Sequence, residues 1–317
     1  MKRKALVLLS GGLDSTLAAK ILKEQGIEVL GITFKSYFFN PKSAPRMAAE
    51  IKIPWRVVDF SAEHLKMVKD PPHGRGSAMN PCIDCHTLML KTVKKIMKKE
   101  KFDFVATGEV LGERPMSQNK TALGTVEKNS TIKGYLLRPL SARLLEPTIP
   151  EQKGWVKREE LLAISGRSRH PQMALAKKYG IKNYPSPGGG CLLCEKEFGE
   201  RLKKLFQVYP QCQGSDINLL KVGRHFWKEE AKIIVGRNEE ENKKIKKLAR
   251  AGDVLVEIEN YPGPLTLIRN YGGRNKKEVL LEAEKITKRY ATKAKKKKDV
   301  KFKVVDKKSQ FAKKRNL

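Results

Sequence analysis

The chain reads as an α/β protein: a doubly wound parallel sheet, followed by a second, smaller α+β domain and a basic C-terminal tail. Three observations predict this. Short apolar runs alternate with helical periodicity through residues 1–165, a glycine turn joins the first run to the first helix, and beyond about residue 215 closely spaced strands take over. Ala5 to Leu9 has strand length and breaks at Ser10-Gly11-Gly12 into an amphipathic helix marked by Leu17, Ala18, Ile21 and Leu22 and closed by Gly26. Glu28 to Phe34, Trp55 to Asp59 and Phe102 to Thr107 follow as strands, Ala44 to Ile51 and His86 to Lys99 as helices. Ligands of such sheets sit at the carboxyl ends of the strands. Thr107-Gly108-Glu109 and the polar loop Gly112 to Gln118, just past one such end, are therefore expected near whatever the first turn binds. A connecting segment, 166–212, carries a helix from about His170 to Tyr179. In the second domain, 213–290, Ile217 to Leu220, Lys232 to Val235 and Val254 to Ile258 read as strands, and Glu239 to Ala251 as a helix with a lysine-rich outer face. A helix ending near Tyr290 runs into the Lys295 to Lys298 block and the tail, 291–317, expected to be disordered alone.

The charge balance narrows the partners. With 66 Lys and Arg against 34 Asp and Glu, the formal charge is +32, far beyond what solubility requires, so a polyanion is the expected partner. The excess is not a tail effect, since residues 291–317 hold only 12 of the basic residues. Gly166-Arg167-Ser168-Arg169-His170-Pro171, a basic loop ahead of a helix, suits nucleic-acid phosphates or is a plain solvated turn. No apolar run reaches membrane-spanning length, and Met1-Lys2-Arg3-Lys4-Ala5 runs into a strand instead of a cleavable signal. A cytoplasmic location without membrane contact is expected, and there cysteines serve as ligands or nucleophiles rather than in disulfides.

The turn after the first strand is built for an anion. Two adjacent glycines let backbone N–H groups converge, and the positive end of a helix dipole adds to them. The lysine of the common G-x-x-x-x-G-K-[ST] loop is missing. Ser10-Gly11-Gly12-Leu13-Asp14-Ser15 instead resembles the SGGxDS signature of PP-loop ATP pyrophosphatases, which cut ATP between its α and β phosphates. The resemblance implies ATP contacts at Ser10, Gly11, Gly12, Asp14 and Ser15, Asp14 acting through Mg2+, with Thr107 and Gly108 beside them.

Four of the five cysteines form two pairs, Cys82-Ile-Asp-Cys85 and Cys191-Leu-Leu-Cys194, the second after a Pro- and Gly-rich stretch. Two such pairs can complete a tetrahedral thiolate site for Zn2+ or an iron–sulfur cluster. Cys82-Ile83-Asp84-Cys85-His86 also spells the attachment motif of c-type haem, which ordinarily requires export. None of the five histidines has metal-ligand spacing to another, and none is assigned a catalytic role.

Asn80-Pro81-Cys82-Ile83-Asp84-Cys85 resembles the NP-x-x-x-C segment of tRNA 2-thiouridylases and makes Cys85 the catalytic cysteine. The added Cys82 and the Gly-Gly-Gly-Cys191-Leu-Leu-Cys194 segment resemble cluster-dependent thiolases of the same superfamily. That likeness implies a [4Fe-4S] centre on Cys82, Cys85 and Cys191, with Cys194 a fourth ligand or a sulfur carrier; Cys212 is left as structural. Val222 to Trp227 with Ile233 to Asn242 resembles the RNA-binding module of NFACT-type proteins. Together the resemblances imply an ATP-dependent sulfurtransferase. It would adenylylate a tRNA uridine oxygen and replace it with sulfur from a persulfide carrier or sulfide, with Asp14, Cys85 and Cys191 catalytic. The alternatives are a PP-loop enzyme that uses ammonia, or a non-catalytic RNA-binding or ribosome-associated factor. Which uridine position, which sulfur donor and which oligomeric state remain open in the sequence.

Overall fold

A computed structural model describes residues 2–40, 42–186 and 190–307, which divide into two compact units, 1–195 and 196–317. The first unit takes in most of the expected connecting segment, so the structural division falls later than the sequence expects.

The first unit runs β1 (Lys4–Leu8), α1 (Leu13–Glu24), β2 (Glu28–Lys35), α2 (Ala44–Glu50), β3 (Trp55–Asp59), α3 (Ser61–Lys69), α4 (Cys82–Lys99), β4 (Phe104–Thr107), α5 (Lys120–Ser130), β5 (Leu136–Leu137), α6 (Ile149–Gln152) and α7 (His170–Lys178). Its five strands are all parallel, in the order β3-β2-β1-β4-β5. The alternation of β1 sorts the two faces. Ala5 and Val7 join α1, α2 and α7 in one apolar layer, whereas Leu6 joins α4 and α5 in the other. α1 closes with Ile27 N–H on the Leu22 carbonyl and Gly26 N–H on that of Lys23, the paired bonds of a glycine C-cap. Strand order reverses across β1, so the crevice between the ends of β1 and β4 is where a ligand belongs.

The second unit runs α8 (Lys196–Val208), α9 (Gly214–Leu219), β6 (Arg224–Lys228), β7 (Ala231–Val235), α10 (Glu239–Leu248), β8 (Val254–Ile258), β9 (Thr266–Asn270), α11 (Lys276–Tyr290) and β10 (Phe302–Asp306). Its antiparallel sheet has the order β10-β8-β9-β7-β6. Ile233, Val235, Val256 and Ile268 pack under α11, and Ile234, Leu255 and Leu267 under α9 and α10. Asn238 accepts from Glu241 N–H and starts α10, whose first turn is acidic and last turn basic, as the helix dipole favours.

Three expectations are corrected. Ile217 to Leu220 is not a strand but belongs largely to α9, because Gln213 and Asp216 close a capping box ahead of it and Asp216 is drawn into the core. α4 begins at Cys82 rather than His86, directly after Pro81. The basic tail is not disordered from 291: Phe302 to Asp306 pairs along the whole of β8. Residues 308–317 of that tail, and Pro187-Gly188-Gly189 before the second cysteine pair, lie outside the described residues.

Candidate active site

The first strand delivers its turn to the crevice. Gly11 has φ +81°, and a Cβ there would lie 2.5 Å from the Ala44 nitrogen, so only glycine fits between the loop and α2. Ser15 Oγ donates to the Gly12 carbonyl at 2.9 Å and meets Ser10 Oγ at 3.1 Å, bracing the loop from within. The first-turn N–H groups of α1, which a helix cannot satisfy internally, open at this point. Gly108, after β4, comes so close that a Cβ would lie 2.4 Å from Ser15 N. Ser10, Gly11, Gly12, Asp14, Ser15 and Gly108 are thus brought together. Thr107 is adjacent but committed elsewhere, its hydroxyl donating to Glu109 Oε2 at 2.9 Å.

Asp14 is the focus of this crevice. Its Oδ1 is buried without a hydrogen-bond partner. Burial raises its pKa, opposed by the guanidinium of Arg169, by Gln172 and by Arg114. Arg169 precedes α7 and Gln172 lies in its first turn; neither was among the residues the sequence assigned to this site. Glu113 is also drawn in, with its pKa raised by burial and then by Asp14.

The thiols gather nearby. Cys82 and Cys85 occupy the first turn of α4, and the second pair brackets a short 3-10 turn. Leu192 N–H bonds to the Phe38 carbonyl at 2.9 Å and Met79 N–H to that of Leu193 at 3.1 Å, which pin this second segment beside the first. Cys82 meets Cys194, and Cys194 meets Cys191. The contact with Cys194, then burial, pushes the Cys82 thiol up; burial foremost raises Cys85, which rests against the apolar layer under α4. The Cys194 thiol is raised chiefly by its bond to Cys191. Among the described residues no three of His, Cys, Asp and Glu are placed to hold a metal ion.

Histidines contribute more than the sequence indicates. His86 Nδ1 and Glu109 Oε1 are 2.8 Å apart, and Arg138 Nε donates to Glu109 Oε2 at 3.0 Å. Burial would push Glu109 up, but Arg138 and His86 outweigh it and hold the carboxyl at about 2. Burial would likewise lower His86, and Glu109 reverses it. His86 follows Cys82 by four residues on one face of α4, a spacing that was the available signal. His73, expected merely to sit in a loop, meets the buried Asp84 at 2.6 Å. Arg114 is within electrostatic reach of Asp14, His86 and Cys194 alike.

A glycine turn at a sheet crevice with thiols nearby, in a parallel α/β unit followed by a separate antiparallel domain, defines a two-part class of protein. Residues 3–160 match the family described as "tRNA methyl transferase HUP domain", and residues 223–316 the family described as "NFACT protein RNA binding domain". The tRNA-specific 2-thiouridylase of Symbiobacterium thermophilum is 26% identical over 228 residues, 64% of this chain and 55% of its own. That of Clostridium botulinum strain Loch Maree is 35% identical over 128 residues, 34% of this chain and 36% of its own. A solved 4-thiouridine synthetase in complex with RNA and ATP shares 19% identity over 69% of this chain and 52% of that one, with a TM-score of 0.37. The first unit is thus similar to the HUP domain of that family and to part of the 2-thiouridylases, and residues 223–316 are similar to the NFACT RNA-binding domain. The chain spans little more than half the length of the first of these relatives. No helix among the described residues is long and apolar enough to cross a membrane.

Proposed function

We propose that this chain thiolates a uridine of tRNA at the expense of ATP. The observation that carries the reading is Arg114, within reach of both the Asp14 crevice and the thiols, because a reaction that joins ATP cleavage to sulfur transfer needs both in one place. In the first step a uridine carbonyl oxygen attacks the α-phosphate, the bond to the bridging oxygen breaks, and pyrophosphate leaves into the N–H cradle of Gly11 to Ser15. Asp14 would hold a magnesium ion that supplies the positive charge to neutralise it. In the second step sulfur attacks the activated carbon, the carbon–oxygen bond breaks, and AMP departs. Where the donor is a persulfide carrier, the thiolate of Cys85 or Cys191 takes its outer sulfur as the carrier thiolate leaves. After attack on the carbon a second thiolate of the site breaks the S–S bond, releasing the thiouridine and closing a disulfide that an external thiol reduces. Where the donor is sulfide, it attacks the carbon itself and no cysteine is oxidised. The methyl transfer named in the family description uses a methyl donor and calls for neither the phosphate turn nor the thiols.

Cys82, Cys85, Cys191 and Cys194 are the residues that would hold a [4Fe-4S] cluster or Zn2+; the donor set is all thiol and Cys194 meets both Cys82 and Cys191. Among the described residues, however, no three of the thiols stand together at metal-holding distance, so a cluster would have to draw them in. A bound cluster would supply an iron at which sulfide stays deprotonated. The His86–Glu109 pair beside Cys82 holds its end of α4 in place.

The test is tRNA-dependent turnover of α-labelled ATP, with mass spectrometry of the nucleosides. The wild type yields AMP, pyrophosphate and thiouridine. Asp14→Asn abolishes all three and keeps its fold, whereas ADP and phosphate as products would refute α/β cleavage. Anaerobically purified protein carries about four irons per chain. Alanine at Cys82, Cys85 or Cys191 removes iron and thiouridine together, while Cys212→Ala spares both. Stoichiometric zinc without iron would make the thiols a structural knot.

A further inference from the structure

Around Asp14 the chain buries polar groups and leaves them unpaired. Gln172 is fully buried between α7 and α1, and neither its Oε1 nor its Nε2 has a hydrogen-bond partner. Arg169 Nε is buried and equally unpaired, as is Asp14 Oδ1. Arg169 is the strongest opposing influence on the burial that raises Asp14, and Gln172 lies beside the same carboxyl. A buried amide or guanidinium without its bonds costs about 1–3 kcal/mol each, so two of them beside a carboxylate that is itself partly unpaired stand out against the general rule that buried polar groups are paired. The apolar side of α7 explains the burial but not the unpaired atoms: Leu175 and Ala176 pack into the layer with Leu17 and Ile21, and they leave the polar first turn of α7 facing the start of α1.

We propose that Arg169 and Gln172 form the second wall of the polyphosphate site, opposite the glycine turn, and recognise the pyrophosphate part of ATP. This rests on the ATP-cleaving reading above and extends it to a segment that the sequence associates with RNA. Arg169 presents a planar guanidinium that matches a phosphate and, as the bond to the bridging oxygen breaks, stabilises the charge that grows on the departing pyrophosphate. Gln172 acts as a positioning residue. Its amide nitrogen is the group that can donate to the Asp14 carboxylate beside it, or to the phosphate, and its amide oxygen is left to accept from the cation's water shell. Being neutral, it adds no negative charge beside Asp14, which a glutamate would. Arg167, two residues earlier, is exposed and stays available to other partners.

Calorimetry on the full chain separates the possibilities, with Mg2+ and three probes: α,β-methylene-ATP, inorganic pyrophosphate and AMP. Arg169→Ala weakens the first two about tenfold or more, as the loss of a charge-assisted contact implies, and leaves AMP and tRNA affinity unchanged. Arg169→Lys recovers part of the loss. Gln172→Glu weakens α,β-methylene-ATP more than Gln172→Met does, because the added charge opposes Asp14, and the near-isosteric methionine keeps the helix packing intact. Wild-type affinity for α,β-methylene-ATP in both Arg169→Ala and Gln172→Glu would overturn this inference and leave the ATP reading standing. So would a selective loss of tRNA affinity in Arg169→Ala, which returns the loop to RNA. A wild type that binds none of the three probes would overturn both readings.

Discussion

The two units each bury a cluster of charged and polar side chains, and the clusters differ in one respect. In the second unit Arg269, fully buried, donates to Asp253 at 2.9 and 2.6 Å, to Asp216 at 3.0 Å and to the Leu248 carbonyl at 3.2 Å. Tyr271 adds a bond to Asp216 at 3.1 Å, and the backbone N–H groups of Gln213 and Arg250 complete the two carboxylates. Every arm of that network is answered within the chain. Around Asp14 the corresponding atoms of Asp14, Arg169 and Gln172 are unanswered. Burial of charge by itself therefore does not mark a site; the closed network fixes the placement of α9 and β9, and the open one around Asp14 is where the ATP reading puts its ligand.

The largest effect that would break this contrast is on stability. Asp216→Ala strands Arg269 and should cost about 3–5 kcal/mol, read by hydrogen exchange in β9. Asp14→Asn should cost nothing measurable in β1 without nucleotide, because it removes a carboxyl whose ionisation burial opposes. Equal losses would erase the distinction between the clusters. Next in size, saturating ATP should protect β1 by about 2.7 kcal/mol at a hundredfold excess over Kd, and the protection should vanish in Asp14→Asn.

A third, pH-dependent effect concerns Lys232, an exception within the second unit. It is fully buried on β7, its Nζ has no hydrogen-bond partner, and it lies 4.3 Å from the Trp227 ring centre. Burial, then Arg201, pulls its pKa from 10.5 to about 7. The unfolded chain thus binds more protons than the folded one between pH 7 and 10.5, so this residue's contribution to stability rises with pH across that window, by up to about 1.4 kcal/mol per unit. Lys232→Met should be more stable than the wild type near pH 7, and the gap in Tm should close as pH approaches 10. A constant gap would show that Lys232 carries its charge unperturbed.

Local pattern made the parallel sheet and its glycine turn legible, since β1, α1, β2 and β3 each carry their own periodicity, and the close contact of Gly108 with Ser15 follows from strand order. What escaped depends on partners far along the chain. α9 was taken for a strand because the Asp216 that anchors it answers to Arg269, 53 residues later. Arg169 looked like a surface cation because Asp14 lies on another helix of the same unit, and His86 looked inert because Glu109 follows a different strand. β10 was hidden by its setting: the alternation of five residues was swamped by lysines on either side.

That last strand has a consequence for anyone who shortens the protein to ask what its basic end does. β8 is paired on one side by β9 and on the other by β10. Removal of everything after Tyr290 strips away the hem of the sheet and leaves the Val254–Ile258 backbone bare, an invitation to pair with another molecule. Lys303 on the outermost strand, flanked by Lys301 and Lys307, then has an office of its own: charge along this edge keeps neighbouring copies from stitching edge to edge. A chain trimmed there is expected to self-associate, whereas one that ends at Asp306 or Lys307 keeps its border finished.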